Sequence, residues 1–428
     1  MSHDALMEAA SAALAALAGT SSDARALFVP GRLEVLGKHT DYAGGRSLLC
    51  AAERGICFAI RPRSDTQVRV VDAISKESVD FTIGPALRRA PGQWGNYPMA
   101  VARRLARNFP GTLKGADIAF ASDLPPAAGM SSSSALVVGF FTVLADANQL
   151  ERRHEYLENV HSPEELAGYL GAVENGHSFG SLRGDAGVGT TGGSEDHTAI
   201  LCCRAGALSQ FAFCPVRHER TVQLPAGWVF AIGVSGVVAD KNGPAQDAYN
   251  RAAEEADTIL KAWRAATGRS DLSLAGALAS APDALERMRE IVRTAATEPE
   301  ALLGRLEQFV AESVEIIPAV GDSLARGDVE GIGLLVDRSQ LGAERWLGNQ
   351  VPETVALARS ARKLGAAAAS AFGAGFGGAV WALVRTAAAD DFLERWGREY
   401  RDAFPDRAKQ AQFFLTFPGP GMERLSEA

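Results

Sequence analysis

Leu124-Pro-Pro-Ala-Ala-Gly-Met-Ser-Ser-Ser-Ser-Ala-Leu136 is the stretch on which the reading of this chain turns. An apolar run with strand character, Ala116 to Ala121, enters it, and an apolar run with helical character, Ala135 to Ala147, leaves it. Serines at a helix start satisfy N–H groups that have no partner within the helix. The same groups form the positive end of the helix dipole and receive anions. Two readings follow: a well-capped helix behind a loop, or a cradle for a phosphate and its Mg²⁺. The stretch alone leaves both open.

Composition narrows the field. A chain of 428 residues exceeds one ordinary core, so two domains are expected. A net charge of −8 with no dense Lys/Arg run argues against a nucleic-acid surface. No uncharged apolar run approaches a membrane span, and the Ala-rich start carries Asp4 and Glu8, which suits an amphipathic helix better than a signal peptide. The five cysteines show no C-x-x-C spacing and sit largely in apolar contexts, which predicts buried free thiols in a reducing compartment. A soluble, cytoplasmic protein is expected, as a monomer or small homo-oligomer.

Upstream of the serine loop, Gly31-Arg-Leu-Glu-Val-Leu-Gly-Lys-His-Thr-Asp-Tyr-Ala-Gly-Gly45 begins as a strand and ends in a crowded polar loop. Strand patterns follow at 47–60, 67–71 and 79–83, which implies an antiparallel or mixed sheet. A helix opens near Trp94 and runs to Arg107, and residues 151–170 read as a solvated helical connection. Residues 184–193 hold five glycines and lead into Ser194-Glu-Asp-His197. Apolar flanks hold this loop from both ends, so a functional loop is favoured over a mobile surface one. A domain boundary is expected near 217–225, giving domains 1–217 and 218–428. The second half reads as helices at 245–267, 284–294, 298–324 and 352–364, then Gly373-Ala-Gly-Phe-Gly-Gly378, a strand at 379–384, a helix at 388–404 and a final strand at 412–417.

Two motif matches fail on context. Gly373 to Gly378 fits G-x-G-x-x-G, but a helix is read before it and a strand after it, the reverse of a dinucleotide-binding turn. Gly31 to His39 misses the P-loop by one residue of spacing and places His where Ser or Thr is required.

Taken jointly, Gly31 to Tyr42, Leu124 to Leu136 and Gly373 to Gly378 resemble the sugar signature, the phosphate loop and the C-terminal glycine motif of GHMP kinases, specifically the galactokinase branch. The resemblance spans nearly the whole chain. It implies an α+β fold of two domains, ribosomal S5 domain 2-like and then ferredoxin-like, with the active site between them. It also implies ATP- and Mg²⁺-dependent phosphorylation of the anomeric hydroxyl of galactose or a closely related sugar. By this resemblance Arg32 and Asp196 are the catalytic pair. Lys38, His39, Asp41, Gly193 and Tyr249 would bind sugar. Trp94, Pro126, Gly129, Met130, Ser131, Ser132, Ser133 and Ser134 would bind ATP, and Ser133 and Glu174 the metal.

Two departures qualify the resemblance. Galactokinases carry Glu where this chain has Lys38, and an ammonium donates where a carboxylate accepts. A uronic acid such as galacturonate is therefore a variant substrate; alternatively Lys38 turns away and pairs with Glu34 or Glu53. The spacing from Glu174 to Asp196 is also longer than usual, which leaves Glu195 as a neighbour to weigh. A catalytically silent sugar and ATP sensor on the same fold stands as the contrasting class.

Overall fold

The structure is a computed structural model that describes residues 2–19, 23–88, 94–126, 128–189, 192–238, 244–295 and 297–425, without the side chains of 244–249 and 295. Helix α1 (His3–Ala18) begins at Ser2, whose hydroxyl accepts from the Ala5 amide, and buries Leu6, Ala10 and Leu14 on one stripe. Strands β1 (Arg25–Leu36), β2 (Arg46–Pro62), β3 (Gln67–Asp72) and β4 (Ser78–Thr82) follow. Next come α2 (Asn96–Asn108), β5 (Ala116–Ser122), α3 (Ser132–Asn148), α4 (His154–Asn159), α5 (Pro163–Asn175) and α6 (Glu195–Cys202). Strands β6 (Ala207–Ala212) and β7 (Arg217–Gln223) close this part of the chain.

The sheet runs β12-β1-β2-β5-β3-β4, where β12 (Glu423–Leu425) is the returning end of the chain. Strand β2 is long enough to serve two neighbours on one side: Arg46–Leu49 pairs β6 and Ile56–Pro62 pairs β5. Helix α1 packs Leu6, Ala10 and Leu14 with Phe28, Cys57 and Ala119. Helix α3, apolar all round, is sunk in the main core with Phe58 and Phe120.

The second half begins with β8 (Trp228–Val234) and α7 (Pro244–Thr267). Helices α8 (Leu274–Leu278), α9 (Ala284–Ala295), α10 (Pro299–Val310), α11 (Ile317–Ala325), α12 (Gly333–Gly342) and α13 (Pro352–Lys363) follow. Then come β9 (Ala368–Phe372), β10 (Ala379–Arg385), α14 (Ala389–Ala403) and β11 (Gln412–Thr416). Their antiparallel sheet has the order β11-β8-β10-β9, with each outer connection made through helices, the ferredoxin-like arrangement.

Several expectations change here. The boundary at 217/218 cuts into β7, whose backbone pairs with β6, so the first sheet extends to Gln223. The stretch 151–170 is not a solvated connection throughout: Tyr169 and Leu170 are fully buried, because α5 covers the core beside α3. The glycine loop 373–378 follows a strand, β9, rather than a helix; it closes a β9–β10 hairpin, so the dinucleotide-binding reading still fails. The Ala-rich run of β9 carries no strand signature, and only its burial between β10 and the helices makes it one. The helical run 298–324 is interrupted by a π turn, Ala311–Ile316. This turn aims Glu312 and Ser313 at the first domain, where they accept from the amides of Gly37 and Arg46.

Candidate active site

Two clefts meet where the domains face each other. The first is lined by Arg32, Glu34, His39, Asp41, Tyr42, Glu174, Gly193, Glu195, Asp196 and the Gly373–Ala374 backbone, among others. The second is lined by Gly129 to Ser133 and by Phe372, Gly375, Gly377 and Gly378. Arg32, Asp196 and Ala374 belong to both.

At the junction, Arg32 Nε donates to Asp196 Oδ1 at 2.7 Å, and another guanidinium nitrogen donates to the Gly129 carbonyl. Burial disfavours the Arg32 charge, but Asp196, Glu34 and Glu195 more than offset this and push its pKa above the usual arginine value. Glu195 also faces the guanidinium, with Oε1 4.0 Å from Arg32 Nε. Its carboxylate accepts from the Ser47 hydroxyl, and burial, with Glu34 and Asp41 nearby, pushes its pKa well up.

The first cleft is ordered by the amides of its own loops. Asp41 accepts from the amides of Tyr42 at 2.8 Å and Glu195 at 3.0 Å, the latter at the start of α6. A Cβ on Gly193 would lie 2.2 Å from Asp41 Oδ2, so only glycine permits this approach. His39 sits at φ 58°, with Nδ1 3.0 Å from the Tyr42 hydroxyl and Nε2 3.1 Å from the Ala374 carbonyl.

The second cleft is the start of α3 facing the β9–β10 turn. Ser131 occupies the N-cap position at φ 61°, and its hydroxyl is buried without a hydrogen-bond partner among the described residues. The two glycine loops touch backbone to backbone: a Cβ on Gly129, at φ 74°, would lie 2.9 Å from the Phe372 carbonyl oxygen. Ser134 Oγ donates to Glu174 Oε2 at 2.8 Å and also lies 3.3 Å from Asp196 Oδ2. Glu174 and Asp196, distant in sequence, therefore meet at one hydroxyl. The intervening loop is pinned to α2 by Asp185, which receives Arg103 at 2.6 Å and Arg107 at 3.2 Å. Ser133 hydrogen-bonds Tyr97.

The structure thus brings Arg32, His39, Asp41, Gly129, Met130, Ser131 to Ser134, Glu174, Gly193 and Asp196 to the two clefts. Lys38 is placed differently from His39 and Asp41 of the same loop. It is 1 % exposed and lies in the lining of neither cleft, with Nζ donating to Ser339 on α12 at 3.1 Å. Trp94 is also absent from the lining; its indole N–H donates to Glu77 and its ring packs edge-on against Phe120. Pro126 is exposed outside both linings, and the side chain of Tyr249 lies outside the described residues.

Sequence reasoning gave no site role to Glu34 or Arg305, and noted His197 only as part of the segment behind the glycine-rich loop. Glu34 alternates with Leu33 and Val35, so the strand period already put it on the face of Arg32. His197 Nε2 lies 2.9 Å from Glu174 Oε2, at an angle too poor for a regular hydrogen bond. Arg305 is fully buried on α10 and donates to the carbonyls of His39 and Ala252 and to Gln308. Nothing local marks it.

A helix opening on serines and a glycine hairpin thus enclose a shared Arg–Asp pair, the arrangement expected from the resemblance to GHMP kinases. Residues 96–180 match the GHMP kinases N terminal domain, 322–402 match the GHMP kinases C terminal model, and 16–62 match the galactokinase galactose-binding signature. A galactokinase of Roseiflexus sp. (strain RS-1) is 30 % identical over 412 residues, covering 93 % of this chain and 92 % of the relative. The galactokinase of Streptomyces coelicolor is 28 % identical, over 92 % of this chain and 93 % of its own. The chain belongs to the GHMP kinase family, in its galactokinase branch. In fold it resembles Lactococcus lactis galactokinase complexed with galactose, at a TM-score of 0.78 and 22 % identity over 97 % of this chain and 98 % of that one. The L. major mevalonate kinase aligns less well, at 0.54 and 15 % identity over 92 % and 95 % of the two chains.

Proposed function

We propose that this chain transfers the γ-phosphoryl group of ATP to the anomeric hydroxyl of galactose. The Arg32–Asp196 pair carries the reading, because it stands where the signature-loop cleft opens into the serine and glycine cleft. A sugar in the first cleft places one hydroxyl beside Asp196, which orients it and takes up its proton. Arg32 presents a fixed fork of donors to the oxygens of the transferring group and neutralises their charge. The amides and hydroxyls from Gly129 to Ser134 hold the remaining phosphates. Chemistry of this kind needs positioning and charge compensation more than covalent steps.

The carboxylate of Glu174 with the hydroxyls of Ser133 and Ser134 is a hard-oxygen donor set of the sort Mg²⁺ takes together with phosphate oxygens. When bound, Mg²⁺ would neutralise phosphate charge. Among the described residues no helix is long and apolar enough to cross a membrane and all five cysteines are free, which fits action in the cytoplasm.

A coupled assay of ADP release over a sugar panel tests the reading. Galactose-dependent turnover is expected, with galacturonate inactive, and Asp196→Asn should lower kcat by ~10²–10⁴-fold while sugar still binds. Sugar binding without turnover in the parent would leave the sensor instead.

A further inference from the structure

Glu34 is 3 % exposed, lines the first cleft, and is not needed for the phosphoryl transfer described above. Its Oε2 accepts from the Gly373 amide at 3.1 Å, while Oε1 is buried with no hydrogen-bond partner among the described residues. A buried acceptor left unmade forfeits its hydration with nothing in return, so such an atom in a ligand cleft marks a donor that arrives with the ligand. We propose that Glu34 is a specificity residue, its Oε1 accepting a hydrogen bond from a sugar hydroxyl other than the one that reacts. The proposal rests on the sugar-kinase reading.

Strand geometry separates the two hydroxyls. Arg32 and Glu34 are two residues apart on β1, on the same face and roughly 6–7 Å apart along the strand. The reacting hydroxyl belongs beside Arg32 and Asp196, so a group reaching Glu34 lies across the sugar ring.

The chain also keeps other donors off Oε1. The Lys38 ammonium attracts Glu34 electrostatically but is held by Ser339, and no Lys38–Glu34 ion pair forms among the described residues. Arg32 commits its Nε to Asp196. The ionised form of this carboxylate, which prevails above about pH 7, only accepts, so there the position selects a hydroxyl. In that form it also disfavours an acidic substituent.

The test is a cycle between residue and hydroxyl. Galactose and its singly deoxygenated analogues, one for each non-anomeric hydroxyl, are compared on the parent, Glu34→Gln and Glu34→Ala. In the parent, one analogue should lose roughly 10- to 100-fold in kcat/KM. That ratio, and no other, should shrink at least about fivefold in both variants. Ratios that stay unchanged, or a uniform loss for every sugar, would make Glu34 a structural anchor of the Gly373 turn and overturn the proposal. If Glu34→Ala does not fold, Glu34→Gln decides alone. If the parent binds sugars without turning them over, the kinase reading fails, and the same ratios taken from calorimetric Kd values decide the role of Glu34. A parent that binds no sugar overturns both.

Discussion

A guanidinium buried among carboxylates sets the electrostatics of the site. Arg32 holds its charge because Asp196, Glu34 and Glu195 surround it, and those acids in turn are crowded. Burial pushes Glu34 up to about 7; Glu312 adds to this, while Arg32, Lys38 and the Gly373 amide pull the other way. Burial raises Asp41 and Glu195 as well. For Glu34 the sign is definite: between its ordinary value of 4.5 and about 7, the folded protein holds a proton that the unfolded chain has released. Stability from this group is therefore full below 4.5 and falls as pH rises towards 7. Unfolding free energies from urea titrations across this window should fall less steeply in Glu34→Gln than in the parent, by up to about 1.4 kcal/mol per pH unit. Equal slopes would mean that Glu34 does not titrate there.

Two loops and a helix start act as one device at the scale of elements. The β9–β10 turn and the loop before α3 approach so closely that Gly129 and Gly373 leave no room for side chains. Gly193 gives the insertion loop the same intimacy with Asp41. Gly129→Ala would force a left-handed backbone onto alanine, at about 1–2 kcal/mol, and push on Phe372. It should raise the KM for ATP about 10-fold and spare that for sugar. Gly193→Ala should do the reverse. Steady-state kinetics with each substrate varied checks both, and a shared effect on the two constants would refute the division of labour between the clefts. The glycines were visible in the sequence as clusters. Which backbone each would meet was not, because the partners lie hundreds of residues away.

The whole molecule is fastened across its domains by buried polar groups rather than by apolar surface alone. Arg305 crosses from α10 to the signature loop, where it supports the His39 carbonyl and the Tyr42 hydroxyl, and Glu312 holds the Gly37 amide. Removing one member of such a set strands the others in a dry interior. Arg305→Ala should cost about 3 kcal/mol in urea denaturation and weaken sugar binding through His39. Unchanged stability would show that the junction does not depend on it. The return of β12 to β1 ties the chain end into the first sheet in the same cross-domain manner.

Local patterns determined much on their own. Strands β1 to β5 and the serine-started helix follow from periodicity and turn chemistry, which act over a few residues. The serines were found by that route, whereas Arg32 and Asp196 were singled out by the resemblance to the galactokinase branch. Tertiary structure alone decided where Lys38 points, that β9 is a strand, and that Glu174 and Asp196 share Ser134 despite the loop between them. The reason is common to all three. A buried charge goes where a distant partner or hydroxyl receives it, and an alanine run becomes a strand only when neighbouring strands take up its hydrogen bonds.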